Sequence, residues 1–167
     1  MNSILRYSGV FVVLVLLQLL IFNNIQFSGY INPYVYVLLF IILPLSMPSW
    51  VVLIIAFLAG FIIDAFSGTM GVHTFASVMA GFVRPWIISL NMTHEAADPE
   101  SSPSVQNNGL RWFFLFALMI VLVHHLSLFY VEVFSFAGFF RTLLRVIVST
   151  LFTTFFIVII DMIGWRR

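Results

Sequence analysis

Long apolar runs separated by a few short polar breaks set the pattern of this chain, and the runs have the length of membrane helices. From Tyr7 to Ile63 no residue carries a formal charge. As one helix that stretch would extend about 85 Å at 1.5 Å per residue, so it must fold back. Two breaks are available. The first covers 23–33 and is rich in Asn, Gly and Pro, the residues that form turns. The second, Pro44 to Ser49, holds two prolines four positions apart, which a helix interior does not tolerate. The pattern therefore predicts helices near 7–22, 34–46 and 49–64. Beyond them it predicts helices near 71–90, 111–134 and 142–163, with a polar loop at 91–109. Helices 2 and 3 are short, and apolar segments of about 10–14 residues are often re-entrant. Six spans is the main reading; a non-crossing hairpin of helices 2 and 3 gives four, and one long kinked helix gives five.

Composition points the same way. Of the 167 residues, 62% are apolar and 8% charged, and the mean hydropathy is +1.14. A soluble domain is roughly a quarter charged because water must solvate its surface. The expected fold class is all-α, one polytopic membrane domain over 1–167, with lipid as its solvent and no room for a soluble domain. Cysteine is absent, which removes disulfides, thiolate metal sites and thiol nucleophiles. A net charge of +1 gives no basic stripe for nucleic acid. The first apolar run is flanked like an uncleaved signal anchor.

Every cation is arginine, and arginine sets orientation. Six spans put Arg6, Arg84, Arg111, Arg166 and Arg167 on one side and Arg141 and Arg145 on the other. Both termini and the 91–109 loop are then cytoplasmic. Four spans are equally compatible with the termini.

Ionisable groups inside a bilayer are costly and therefore informative. Six spans bring Asp64, His73, Glu132, Arg141 and Arg145 to the outer ends of their helices, with His125 about two turns deeper on the face of Glu132. One reading is a polar pocket open to the outside. The other is a set of ion pairs holding the bundle together. Ser77 and Gly81 share a helix-4 face with His73 and Arg84, and Ser149 and Thr153 follow Arg145 on helix 6. Small residues let membrane helices approach closely, so both stripes are candidate seams for a partner helix or for internal packing. Adjacent histidines His124 and His125 point about 100° apart on a helix, a poor start for one metal site. No metalloprotease spacing, phosphate loop or nucleophile elbow occurs, and a Ser77–His125 pairing has no specific support. No cofactor and no enzymatic activity are expected.

The stretch Asp64 to His73 is the most distinctive. An acid ends one helix, Ser67-Gly68 supports a tight reversal and Gly71 opens the next helix. Gly60 lets another backbone approach. This stretch falls into an ordered set of polar landmarks: Gln18…Asn23-Asn24, Tyr30-Ile31-Asn32-Pro33-Tyr34, Leu43-Pro44, Gly60…Asp64-x-x-Ser67-Gly68-x-x-Gly71-x-His73, Arg84-Pro85, Leu110-Arg111-Trp112-Phe113, His124-His125, Glu132-Val133-Phe134 and Leu144-Arg145…Ser149-Thr150. The set resembles the rod-shape-determining MreD family, Bacteroidetes type, over nearly the whole chain except 91–109.

The resemblance implies a non-enzymatic scaffold or adaptor of the bacterial elongation complex in the inner membrane. It would support rod shape and lateral peptidoglycan synthesis through MreC and, beyond it, MreB, RodA and a class B penicillin-binding transpeptidase. It also implies a fold similar to the six-helix S-components of energy-coupling-factor transporters, and hence a runner-up function as a small-molecule-binding transporter subunit. S-components dock their energising partner through an Ala-x-x-x-Ala face on helix 1. No alanine occurs between Val10 and Phe22 here.

Overall fold

A computed structural model describes residues 3–24, 32–91, 101–134 and 138–164. Arg166, Arg167 and residues 92–100 of the 91–109 loop lie outside the described residues. The described chain is helical, with no strand. Its elements are α1 (Ser3–Leu20), a 3-10 turn (Phe22–Asn24), a second 3-10 turn (Val35–Val37) leading into α2 (Leu38–Ile42), α3 (Ser49–Ser67), α4 (Val72–Asn91), α5 (Val105–Asn108), α6 (Leu110–Val133) and α7 (Phe139–Gly164). Four stretches are long and apolar enough to cross a membrane: Leu5–Asn24, Ser49–Ser67, Leu110–Val133 and Phe139–Gly164. α4 has comparable length, but His73, Ser77, Arg84 and Pro85 dilute its hydrophobicity. It is sheltered between α3 and α6, which both pack along it.

Side-chain contacts fix which helix ends meet. At the end where α1 begins, here the proximal end, the Tyr7 and Ser102 hydroxyls lie 2.5 Å apart. There too Asp161, in the last turn of α7, accepts from the Val105 N–H at 2.8 Å. At the opposite, distal end, Asn23 donates to Ser67 at 3.0 Å, and Arg145 pairs with Glu132 at 3.0 Å. α1, α3 and α6 therefore run from proximal to distal, and α4 and α7 return.

The segment predicted as helix 2 departs from the sequence reading. Helical residues cover only Val35–Ile42, a rise of about 12 Å against a hydrocarbon core of about 30 Å. No residue from Val35 to Leu43 is more than 6% exposed. Irregular backbone at membrane depth persists only where protein covers it and supplies its hydrogen bonds. Here Ser149 Oγ accepts from the Asn32 N–H at 3.3 Å, and Thr153 Oγ1 accepts from Tyr34 N–H at 3.1 Å. Gln18 Oε1 accepts from Tyr36 N–H at 3.4 Å. At the other end the Arg84 guanidinium donates to the carbonyls of Leu43 and Pro44. The segment is the axis around which the long helices are wrapped.

Two glycine positions matter for this packing. A Cβ on Gly60 would lie 2.5 Å from Thr74 Cα and 2.6 Å from the His73 carbonyl oxygen, so α3 and α4 touch backbone to backbone. Gly68 closes α3 in the left-handed region at φ 68°, where a side chain is strained. The second half of the 91–109 loop is solvated only in part, with Gln106, Asn107 and Gly109 exposed. Ser102, Pro103 and Ser104 are buried, and the Ser101 carbonyl accepts from Leu45 N–H at 3.3 Å. This stretch closes the proximal end of the bundle.

Candidate functional site

The Asp64 carboxylate sits at the α3–α4 turn and is consumed by that turn. It accepts from the backbone N–H groups of His73 at 3.0 Å and Thr74 at 2.8 Å, two of the otherwise unpaired donors in the first turn of α4. The hydroxyls of Thr69 and Thr74 add bonds of 2.5 and 2.6 Å. Asp64 is thus an N-terminal cap supplied from the preceding helix, which explains the spacing of Asp64, Ser67-Gly68, Gly71 and His73. It does not join an ion cluster with Arg145, because four donors in its own hairpin already satisfy it.

The charge-compensated pair is Glu132 with Arg145. Arg145 Cζ also stands 4.1 Å from the centroid of the Phe129 ring, so ring and carboxylate together fix the guanidinium. The pair is half open to solvent, with side chains 42% and 21% exposed. Arg141, one turn nearer the start of α7, is exposed. Glu132 and Arg145 form part of the wall of a distal cavity of about 530 Å³. Asn23, Asn24 and Ser67 stand at its rim, and Tyr34 and His73 form its floor.

Beneath that floor lies a buried tyrosine–histidine core. The Tyr36 hydroxyl is 2.7 Å from His124 Nε2, 3.1 Å from Ser77 Oγ and 3.4 Å from His73 Nδ1. A phenol hydroxyl donates once and accepts twice, so all three contacts can be met. His125 belongs to a separate chain. Its Nδ1–H donates to the Val121 carbonyl at 2.9 Å, which leaves Nε2 to accept from Thr153 Oγ1–H at 3.2 Å. Thr153 Oγ1 in turn accepts from Tyr34 N–H. Tyr34 packs edge-on against His73 and His125, with ring centroids 5.1 and 5.5 Å away.

Ser77 is engaged by Tyr36 and His125 by Thr153 and Val121, so the two do not form a nucleophile–base pair. Among the described residues no group of three His, Asp or Glu side chains is placed to hold a metal. The network ties the Tyr36 hydroxyl to α4 and α6 and, through Thr153, supplies an acceptor for the Tyr34 N–H of the central segment.

The candidate partner seam needs correction for the same reason. Ser77, Ser149 and Thr153 are fully buried and bonded within the chain, and Gly81 packs against Ala56, Val52 and Leu53 of α3. Both stripes serve internal packing and leave no surface for a partner helix. Of the two tyrosines at the centre of the core, Tyr34 stands in the sequence only as a landmark of the resemblance and Tyr36 carries no role there. A Tyr-x-Tyr pair after Asn-Pro reads equally well as an interfacial anchor. Only the demand of a buried hydroxyl for partners, set beside two unassigned adjacent histidines, hints at the pairing.

No protein-family model, no curated protein and no solved structure matches the chain.

Proposed function

We propose that this protein is a multi-pass scaffold of the bacterial inner membrane, of the kind its resemblance to MreD implies. In this reading it crosses six times, keeps both termini in the cytoplasm, and serves lateral peptidoglycan synthesis by contacting MreC. The carrying observation is the distribution of polar groups. Inside the bundle Tyr36, His73, His124, Ser77, His125 and Thr153 are engaged with one another, although the buried Thr150 and Thr154 hydroxyls have no partner, while the outward faces are apolar, as with Val12, Val13, Leu16 and Leu20 on α1. A chain so built acts through helix faces rather than through chemistry.

α1 is the helix least used by the bundle, with 17% of its apolar window buried against 44% for α6. Its outer face is accordingly the surface for a partner's single-span helix. Six crossings are supported by the alternating helix directions and by the central segment, which runs from the depth of Ser149 to that of Ser101. Orientation is supported by Arg6, Trp50, Trp86, Arg111 and Trp112, which lie toward helix ends on the proximal side, as expected for a cytoplasmic interface.

The test is photocrosslinking in a rod-shaped bacterium that depends on this protein. Crosslinkers at Val13 and Leu16 are expected to capture MreC, and one at Ser77 is not. The adaptor role is lost if no lipid-facing position of α1, α3 or α7 captures MreC, or if depleted cells keep their rod shape. The distal cavity favours a second reading, the S-component-like subunit. Co-isolation with an energising ATPase module instead of MreC would select it.

A further inference from the structure

Arg84 is a buried cation, 2% exposed, and among the described residues no carboxylate pairs with it. A charge held this far from water normally has a counter-charge. Its bonds to the Leu43 and Pro44 carbonyls both leave from Nη2, and Nε has no hydrogen-bond partner. Those two acceptors carry no formal charge, so capping the central segment leaves the positive charge itself uncompensated. The guanidinium also forms part of the wall of a proximal cavity of about 150 Å³, together with Leu45, Ser49, Gly81 and Ile88. A water in the liquid takes about 30 Å³, so the cavity has room for a small oxyanion.

The start of α3 brings a second positive source to the same cavity. Pro48 provides no side-chain cap, and the Val51 and Val52 amides both turn back to the Pro48 carbonyl. The amides before them, of Ser49 and Trp50, have no acceptor among the described residues. A helix start with free N–H groups carries roughly half a positive charge and attracts anions. Ser49 itself is exposed and adds a hydroxyl donor where the cavity meets the surface. No acid lines the cavity.

We infer that this cavity binds a phosphate oxyanion, held between the Arg84 guanidinium on one wall and the Ser49 hydroxyl and first amides of α3 on the other. Donors on two walls suit a tetrahedral group, whose oxygens point several ways, better than a planar carboxylate. Two sources carry this chemistry: the phosphodiester of an anionic phospholipid in the proximal leaflet, and a soluble phosphate from the aqueous side. Trp50 and Trp86, chain neighbours of Ser49 and Pro85, are 66% and 54% exposed, as befits the headgroup level at which a lipid phosphate lies. The site requires only the fold and is independent of the scaffold reading.

The experiment uses the full chain, purified in a nonionic detergent and stripped of lipid. Native mass spectrometry titrates phosphatidylglycerol against diacylglycerol with the same chains, which lacks the phosphate. In parallel, equilibrium dialysis measures inorganic phosphate and glycerol phosphate against glycerol. One arm is expected to give saturable binding at least about tenfold tighter for the phosphate-bearing probe, the worth of one charge-assisted hydrogen bond. The arm that responds identifies the source. Because Arg84 also holds the central segment, the deciding variant is Ser49→Asp. A carboxylate at a helix start favours the fold, so this variant is expected to melt no lower than the parent. By placing an anion in the site it is expected to weaken binding at least about tenfold. Gln106→Glu adds the same charge at another exposed proximal position and is expected to leave binding within about twofold, because solvent screens it. The parent comparison stands even if a variant does not fold. No saturable binding in either arm, equal binding of the phosphate-free probe, undiminished binding by folded Ser49→Asp, or an equal loss in Gln106→Glu overturns the inference.

Discussion

Replacing Gly60 by alanine tests the closest contact in the fold. The new Cβ would meet Thr74 Cα at 2.5 Å, the His73 carbonyl oxygen at 2.6 Å and Thr74 N at 2.8 Å. All three are backbone atoms, so no rotamer change relieves the clash. Carbon atoms pack at about 3.5–4.0 Å, so α3 and α4 must separate locally by about 1 Å. Overpacking of this kind costs about 1–3 kcal/mol. Separation also stretches the Asp64 bonds to His73 N–H and Thr74 N–H, now 3.0 and 2.8 Å, beyond useful length. Their weakening brings the total to about 4 kcal/mol. Gly81→Ala is the internal control, because its Cβ would approach a side-chain methyl of Ala56 at 3.3 Å and is expected to cost about 1 kcal/mol. Unfolding in mixed micelles, followed by tryptophan fluorescence, measures both. A Gly60→Ala variant within about 1 kcal/mol of the parent, or more stable than Gly81→Ala, would refute the backbone-to-backbone contact.

Other substitutions probe the remaining joints in the same assay. Asp64→Ala strands two helix N-terminal donors and is expected to cost about 2–3 kcal/mol, while Asp64→Asn, which keeps an acceptor, should lose less than half of that. Tyr36→Phe removes the shared partner of Ser77, His73 and His124 and is expected to cost about 1–3 kcal/mol, a neutral result arguing against the network. Arg84→Met leaves the Leu43 and Pro44 carbonyls unpaired at an expected cost of about 2–3 kcal/mol, and Arg84→Lys should recover part of it; equal stability of Arg84→Met would remove the capping role.

The sequence made the long helices legible because they are set by composition over about 20 residues, a signal that local context barely disturbs. The Asp64–His73 hairpin was legible too, since Gly68, Gly71 and the acid each have a local reason to be there. What did not show was tertiary demand. Pro33 and Pro44 bracket a run apolar enough to read as a helix, yet its backbone bonds are supplied by Gln18, Arg84, Ser149 and Thr153 from other elements. The same inversion misleads at Ser77 and Gly81. A small-residue stripe looks alike whether it faces a partner or the chain's own core. Asp64 and Glu132 fall at equivalent helix ends, and only the turn between Ser67 and Val72 decides that one caps a helix and the other meets an arginine.

The passage of 32–48 through the bundle carries the whole topology, and its far end tests it most directly. The chain has no cysteine, so a single cysteine at Ser46, which is exposed, labels without background. Membrane-impermeant maleimide would be applied to intact cells and to inverted vesicles, with Ser8→Cys marking the proximal end and Ser67→Cys the distal one. The account predicts that Ser46→Cys labels with Ser8→Cys, from the cytoplasmic side only. Labelling of Ser46→Cys together with Ser67→Cys, from outside, would mean that the segment never crosses.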